Sequence, residues 1–96
     1  MRFWKGLQQS ENLKGSAANA FKDNMFEVAA NLFSQCLEID PLNGVFNQTI
    51  HFNRASAYHK LREYEKANAD CDAAIALNKD YAKAYLKKGD IKMELE

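Results

Sequence analysis

Residues 52–89 read FNRASAYHKLREYEKANADCDAAIALNKDYAKAYLKKG, and this stretch decides the fold. Its apolar residues fall at helical spacing on both sides of the dipeptide Arg62-Glu63, and again after the polar run Asn78-Lys79-Asp80. The stretch therefore predicts a helix, a tight turn, a second helix, another turn and the start of a third helix. In that third helix, the residues expected to face inward are Tyr81, Tyr85, Leu86 and Gly89.

The segment before this stretch has the same pattern. Small and apolar residues from Leu13 to Phe21 lie on one face of a predicted first helix. Asp23-Asn24 supply turn chemistry, because both residue types tolerate the left-handed backbone conformation. A second helix is predicted from Met25 to Asp40, where Pro41 cannot continue it. Residues 41–44 are expected to form a turn or short loop.

Matching residues recur at a fixed offset along the chain. Four pairs share one offset in residue number, and we call them the repeat pairs: Ala17 and Ala55, Ala29 and Ala67, Phe33 and Cys71, and Cys36 and Ala74. The offset from Ala55 to Gly89 is smaller by four. A unit of about 34 residues, with four residues inserted near Gly44 to Asn47 after the first copy, accounts for both offsets.

A unit of this length that contains two helices resembles the tetratricopeptide repeat. The resemblance implies an all-α fold of antiparallel helical hairpins, stacked as a right-handed superhelix of about two and a half repeats. We expect repeats at residues 10–43 and 48–81 and the first helix of a third from residue 82, preceded by an N-terminal extension at residues 1–9 that can continue into the first helix. The chain stops where a sixth helix is due, so we expect a fragment of a longer protein and self-association through the uncovered last helix.

Composition limits the classes of function. With 13 basic and 13 acidic residues the formal net charge is zero, so the chain lacks the basic field of a typical nucleic-acid binder. It has no apolar run of transmembrane length, and MRFWKGLQQ has no apolar core of a secretory signal. Cys36 and Cys71 lie in apolar helical patterns, which favours free thiols in a reducing compartment, the cytoplasm or the nucleus.

Catalysis has little support in the sequence. His51 and His59 have no Cys or acidic partner at the spacing of a metal site. Asp70 and Asp72 are two residues apart on a helix and face different ways. We therefore expect a non-catalytic protein with no cofactor and no metal.

The resemblance also implies a binding site. In one tetratricopeptide subclass, Lys and Asn on the first helix, Asn on the third and Lys and Arg on the fifth grip the acidic end of a partner chain as a carboxylate clamp. Lys14, Asn53 and Lys83 match three of these positions, and Lys87 stands where Arg is usual. Ala18 replaces the first Asn, so one hydrogen-bond donor is missing.

Four features are similar to the tetratricopeptide J-domain co-chaperones of the DnaJ type. They are the run Asn19-Ala20-Phe21-Lys22, the longer spacer at Gly44 to Asn47, the pair Asn53-Arg54 and the basic run from Lys83 to Lys88. This resemblance implies a co-chaperone that binds the acidic C-terminal tails of heat-shock protein 70 or heat-shock protein 90. It also implies a J domain beyond Glu96.

Two other functions remain open. One is a tetratricopeptide adaptor that binds another protein through its concave groove without a clamp, with His51 and Tyr58 as groove neighbours. The other is a helical-repeat RNA binder, which the zero net charge and the small number of repeats disfavour.

Overall fold

The computed structural model describes the backbone of residues 2–39 and 44–95, and the side chains of residues 12–39, 44 and 46–95. These residues form helices and turns without a strand, which confirms the predicted all-α class. The helices are α1 (Arg2–Lys22), α2 (Phe26–Ile39), α3 (Gly44–Lys60), α4 (Tyr64–Leu77) and α5 (Ala82–Leu95). None of these five is both long and apolar enough to cross a membrane.

The turn between α1 and α2 ends α1 with a left-handed residue, as predicted. Asn24 has a φ of 63°. The N–H of Met25 donates to the carbonyl of Ala20 at 2.8 Å, and the N–H of Asn24 donates to that of Phe21 at 3.0 Å. These two bonds make a Schellman motif, which satisfies carbonyls at the end of the helix.

The turn between α3 and α4 repeats this motif. Arg62, which follows Asn24 by the same offset as the repeat pairs, has a φ of 64°. The N–H of Glu63 donates to the carbonyl of Tyr58 at 2.9 Å, and that of Arg62 donates to the carbonyl of His59 at 3.1 Å. The two hairpins therefore share their turn geometry as well as their sequence period.

The hairpins stack side by side. α1 packs against α2, and α3 packs against α4, which makes two antiparallel hairpins. α3 also contacts α2, and α5 contacts both α4 and α3. α3 is thus the central helix, with a neighbour in its own hairpin and neighbours in the units on either side.

The repeat pairs form the core. Both members of each of the four pairs are buried. Around Phe33, one cluster joins α1, α2 and α3, and a second cluster of Ala55, Ala67, Cys71 and Ile91 joins α3, α4 and α5. Small residues at the paired positions let the helix axes approach closely.

Burial, with a smaller effect of the adjacent Asp70 charge, raises the pKa of the Cys71 thiol to about 11.

The four inserted residues extend a helix, so the expectation that Gly44 belongs to a loop was wrong, whereas residues 41–43 of that expected loop lie outside the described residues. α3 begins at Gly44 and has 17 residues, whereas α2, α4 and α5 have 14 each. The added turn is held in place because Phe46 packs against the core cluster around Phe33 and Asn47 is buried.

The inward orientation predicted for α5 was also wrong in part. Tyr85 is 51% exposed and Leu86 is 70% exposed, and Gly89 lies in open space. Within the described residues α5 packs mainly against α4 and α3, and its opposite face is left exposed. The buried positions of α5 are instead Ala84 and Ile91.

Candidate functional site

A cleft of about 360 Å³ opens between α1 and α3. The residues that line it are Ala18, Phe21 and Lys22 from α1, Phe33 from α2, and Phe52, Asn53 and Ser56 from α3. On α1, Ala18 precedes the other two lining residues by three and four positions, and on α3, Ser56 follows the other two by three and four, so each wall is one helical face. The cleft therefore brings together Ala18 and Asn53, two of the positions that the clamp resemblance singled out.

Asn53 provides the polar group of the α3 wall. Its side chain is half-buried and makes no hydrogen bond within the described part of the chain. Two N–H donors and one carbonyl acceptor are therefore available to a ligand. The neighbouring Ser56 hydroxyl donates to the carbonyl of Phe52 in its own helix, at 3.2 Å. On the α1 wall, Ala18 offers only a methyl group.

Lys14 lies one turn before Ala18 on the same face of α1. Its ammonium stands over the ring of Phe46, 5.4 Å from the centroid, which is a cation–π contact. Phe46 belongs to the added turn of α3, so the insertion brings an aromatic ring to this lysine. Lys14 is half-buried and is not among the residues that line the cleft.

Lys83 and Lys87 lie four residues apart on α5. Lys83 is exposed and forms no hydrogen bond or ion pair with any residue whose side chain the structure describes. Lys87 is half-buried, with its Nζ 3.5 Å from Nδ1 of His59 on α3. Burial, and then the positive charge of Lys87, lower the pKa of His59. Lys87 therefore contacts α3 at His59, which lies six residues after Asn53.

His51 and Tyr58 face α4 and do not line the cleft. Nδ1 of His51 lies 3.1 Å from Oδ1 of Asp70 on α4. The ring of Tyr58 has the Arg54 guanidinium 5.7 Å from its centroid and the Lys66 ammonium 5.6 Å from it. Both residues therefore take part in packing between α3 and α4.

The half-buried guanidinium of Arg54 forms an ion pair within the second hairpin and a hydrogen bond to the first. Arg54 donates from Nε to Oδ2 of Asp70 at 2.8 Å and from Nη2 to Oδ1 at 2.6 Å. Its Nη1 donates to the hydroxyl of Ser34 on α2 at 3.0 Å. Asp70 is 3% exposed, and its hydrogen bonds raise the pKa of Arg54. One guanidinium therefore connects α3 to both α2 and α4.

Sequence reasoning missed several residues at the cleft. Lys22 follows Lys14 by eight residues and Ala18 by four, which is a spacing that keeps all three on one face. Phe52 and Ser56, which line the α3 wall, have the spacing i and i+4 on α3. Among residues with described side chains, no group of three His, Cys, Asp or Glu could hold a metal ion.

Known proteins share both sequence and fold with this chain. The family model described as "Tetratricopeptide repeat" matches residues 48–81. RNA polymerase II-associated protein 3 (RPAP3) of Xenopus laevis is 38% identical over 87 residues, which cover 91% of this chain and 12% of that protein. Mouse DnaJ homolog subfamily C member 7 is 36% identical over 83 residues, which cover 86% of this chain and 17% of that protein. The chain spans a small part of the length of these relatives.

Solved structures extend the comparison to nearly the whole chain. The first TPR of Spaghetti (RPAP3), bound to the HSP90 peptide SRMEEVD, is 34% identical with a TM-score of 0.82; the match covers 93% of this chain and 68% of that one. This chain belongs to the tetratricopeptide repeat family. Another member is the second TPR domain of human RPAP3, in complex with the HSP70 peptide SGPTIEEVD, at 30% identity and a TM-score of 0.82, covering 94% of this chain and 72% of that one.

Membership confirms the predicted resemblance, including the similarity to DnaJ-type co-chaperones. Tetratricopeptide repeats are protein-interaction modules that present an extended concave surface. In this member, the cleft with Asn53 lies between the first helices of the two complete hairpins, α1 and α3.

Proposed function

We propose that this domain binds the acidic, free C-terminal tail of a chaperone of the HSP90 or HSP70 type, through a partly degenerate carboxylate clamp of Lys14, Asn53, Lys83 and Lys87. The observation that carries the proposal is the unpartnered amide of Asn53 in the cleft between α1 and α3. Two similar structures contain peptides that share the ending EEVD, which supports an acidic terminus as the ligand.

The chemistry of such a terminus suits these side chains. A terminal carboxylate beside an Asp side chain concentrates negative charge, which needs charge-assisted hydrogen bonds from several donors. Asn53 supplies neutral donors, and Lys83 and Lys87 supply charge from α5. The apolar surface of Phe33 and Phe52 suits the residue before the last, which is Val in both peptides.

Ala18 weakens this clamp in our proposal. A hydrogen bond to a charged group contributes about 1.5–3 kcal/mol, and about 1.4 kcal/mol corresponds to a factor of ten in affinity. The domain should therefore bind an EEVD tail about ten- to a hundredfold more weakly than a clamp that keeps the first Asn. Lys87 in place of Arg also gives up a bidentate contact.

Isothermal titration calorimetry with the peptide SRMEEVD tests the proposal. We expect measurable binding that weakens with salt, weakens further in Lys83→Ala and Asn53→Ala, and is lost when the peptide C-terminus is amidated. Lys92→Ala is the matched control, because Lys92 lies nine residues after Lys83 on the opposite side of α5. If the amidated peptide binds as well as the free acid, the clamp does not exist.

An adaptor without a clamp is the second candidate, and the three Phe residues lining the cleft favour it. A ligand of that kind would bind through apolar side chains. In that case Phe52→Ala would lower affinity for the peptide, whereas Lys83→Ala and amidation would leave it unchanged.

A further inference from the structure

We propose that Lys22 is an additional ligand-binding residue, which supplies the α1 wall of the cleft with the donor that Ala18 lacks. This inference rests on the proposed function, since the ligand is the same acidic C-terminal tail. It assigns a role to a residue that belongs to none of the five clamp positions.

The position of Lys22 on α1 is the first argument. Lys22 lines the cleft four residues after Ala18, on the same helical face, and Asn53 lies on the opposite wall. Long side chains in an α-helix lean toward the N-terminus, over the turn that precedes them. The stem of Lys22 is therefore directed toward the space above the Ala18 methyl group.

The second argument is that the Lys22 ammonium is available. Lys22 is exposed and has no hydrogen bond, ion pair or cation–π contact with any residue whose side chain is described. Lys14, at the other end of the same face, already stands over the ring of Phe46. A carboxylate that enters between α1 and α3 would meet Lys22 from one side and the Asn53 amide from the other.

The chemistry of lysine gives this role a distinct signature. An Asn at position 18 would donate a short-range, neutral hydrogen bond, which salt screens weakly. A lysine on a flexible stem acts as a hydrated point charge, and its attraction to a carboxylate falls as ionic strength rises. If Lys22 substitutes for the missing Asn, the clamp has exchanged a salt-insensitive contact for a salt-sensitive one.

The second hairpin offers a matched control. Lys60 follows Lys22 by the offset of the repeat pairs and occupies the corresponding position at the end of α3. It is also exposed, but it borders a different cleft, with His59, Arg62, Tyr64 and Glu94. Its removal takes away the same charge without touching the walls that hold Ala18 and Asn53.

A double-mutant cycle with the peptide SRMEEVD tests the inference. Calorimetry would compare the unaltered protein with Lys22→Ala, Ala18→Asn and the double variant, at low and at high salt. We expect Lys22→Ala to weaken binding about two- to fivefold at low salt, as one partly exposed charge pair does, and less at high salt. Lys60→Ala should weaken peptide binding at low salt less than Lys22→Ala does. Ala18→Asn should strengthen binding more in the Lys22→Ala background than in the unaltered protein, because the two donors compete for the same carboxylate.

The outcomes separate the inference from the proposed function. If Lys22→Ala binds as the unaltered protein does while Lys83→Ala is weaker, Lys22 is not a binding residue and the clamp remains. An Ala18→Asn gain that is equal in both backgrounds also overturns the inference. If neither the unaltered protein nor Ala18→Asn binds the peptide, both the inference and the proposed function fail.

Discussion

His59 sits at the junction of three helices. It belongs to α3, its ring centroid lies 5.8 Å from that of Tyr64 on α4, and its Nδ1 faces the ammonium of Lys87 on α5. The other charged groups that act on it are Asp90 and Glu94 of α5 and Lys60 of α3. Burial is the largest of these effects, and the pKa of His59 is lowered as a result.

The lowered pKa of His59 predicts that acid destabilises the fold. The folded protein binds a proton at His59 less readily than the unfolded chain, whose histidines titrate at about 6.5. The contribution of His59 to stability is therefore complete above that pH and is lost as pH falls through the folded pKa. Urea unfolding of the unaltered protein and of His59→Gln, compared at neutral and mildly acidic pH, should show a smaller acid-induced loss in the variant.

Direct titration provides the check on this prediction. The ring proton of His59, followed by NMR as pH is lowered, should shift at a lower pH than in a denatured sample. A midpoint at or above that of the unfolded chain would contradict the assignment. Equal acid-induced loss in the unaltered protein and in His59→Gln would contradict it as well.

At the scale of elements, the contact between α3 and α4 depends on Asp70. Removing one partner of a buried ion pair leaves the other charge uncompensated, at a cost of about 3–5 kcal/mol. Asp70→Ala would do this to Arg54, whose side chain is 21% exposed, so we expect a loss at the lower end of that range in the free energy of unfolding measured by denaturant titration. Asp72→Ala should lower the free energy of unfolding far less, because Asp72 pairs with Lys88 on the surface, where such pairs contribute about 0–1 kcal/mol.

Asp70 and Asp72 form a close comparison, since both are acidic, both lie on α4 and both are ion-paired. They differ in exposure, at 4% and 54% of the side chain. If the two substitutions destabilise the fold equally, burial of the Arg54–Asp70 pair does not account for its contribution to stability.

The helices could be predicted because particular residues in the sequence indicate where each helix ends. Asn24 tolerates a left-handed conformation, Pro41 cannot continue a helix, and the repeat pairs identify the buried faces. The state of residues 44–47 could not be predicted, because a count of inserted residues does not distinguish a loop from an added helical turn. Phe46 packs against the first hairpin, and this contact favours the helical turn over a loop.

The same limit applies to the candidate site. Helical spacing fixes the angles between residues on one helix, so Lys14 and Ala18 could be assigned to one face. It does not say which face meets which neighbour. The orientation of His51 toward Asp70, and the presence of Lys22 at the cleft, both depend on how α1, α3 and α4 are arranged.

At the scale of the whole molecule, the domain is thin. Its principal extents are 49 × 30 × 16 Å, and the shortest corresponds to little more than one helix diameter. Every helix therefore borders solvent on some side. On α5 this leaves four large apolar residues exposed, namely Tyr85, Leu86, Met93 and Leu95.

The exposed face of α5 predicts self-association of the 96-residue chain. Leu86 and Met93 are 70% and 76% exposed and lie seven residues apart, on one side of the helix. Burying them against a second copy removes apolar surface from water. Sedimentation velocity over a range of concentrations should show association that the double variant Leu86→Lys/Met93→Lys reduces.

A matched variant at the other end of the molecule completes this experiment. Met25→Lys places the same charge at an exposed Met beside the first turn, far from α5 in sequence. It should leave the association unchanged. A protein that sediments as a monomer at every concentration would contradict the prediction.

The bonds from Arg54 to Ser34 and Asp70 have a consequence for the thermodynamics of ligand capture. Because one side chain ties α2, α3 and α4 together, the spacing of the two hairpins is fixed before any ligand arrives. A preorganised receptor loses little conformational entropy on association, so most of the contact energy is retained as affinity. The heat of binding an acidic peptide should then come mainly from the charged contacts, and the entropy cost mainly from ordering of the peptide, with little refolding of the domain.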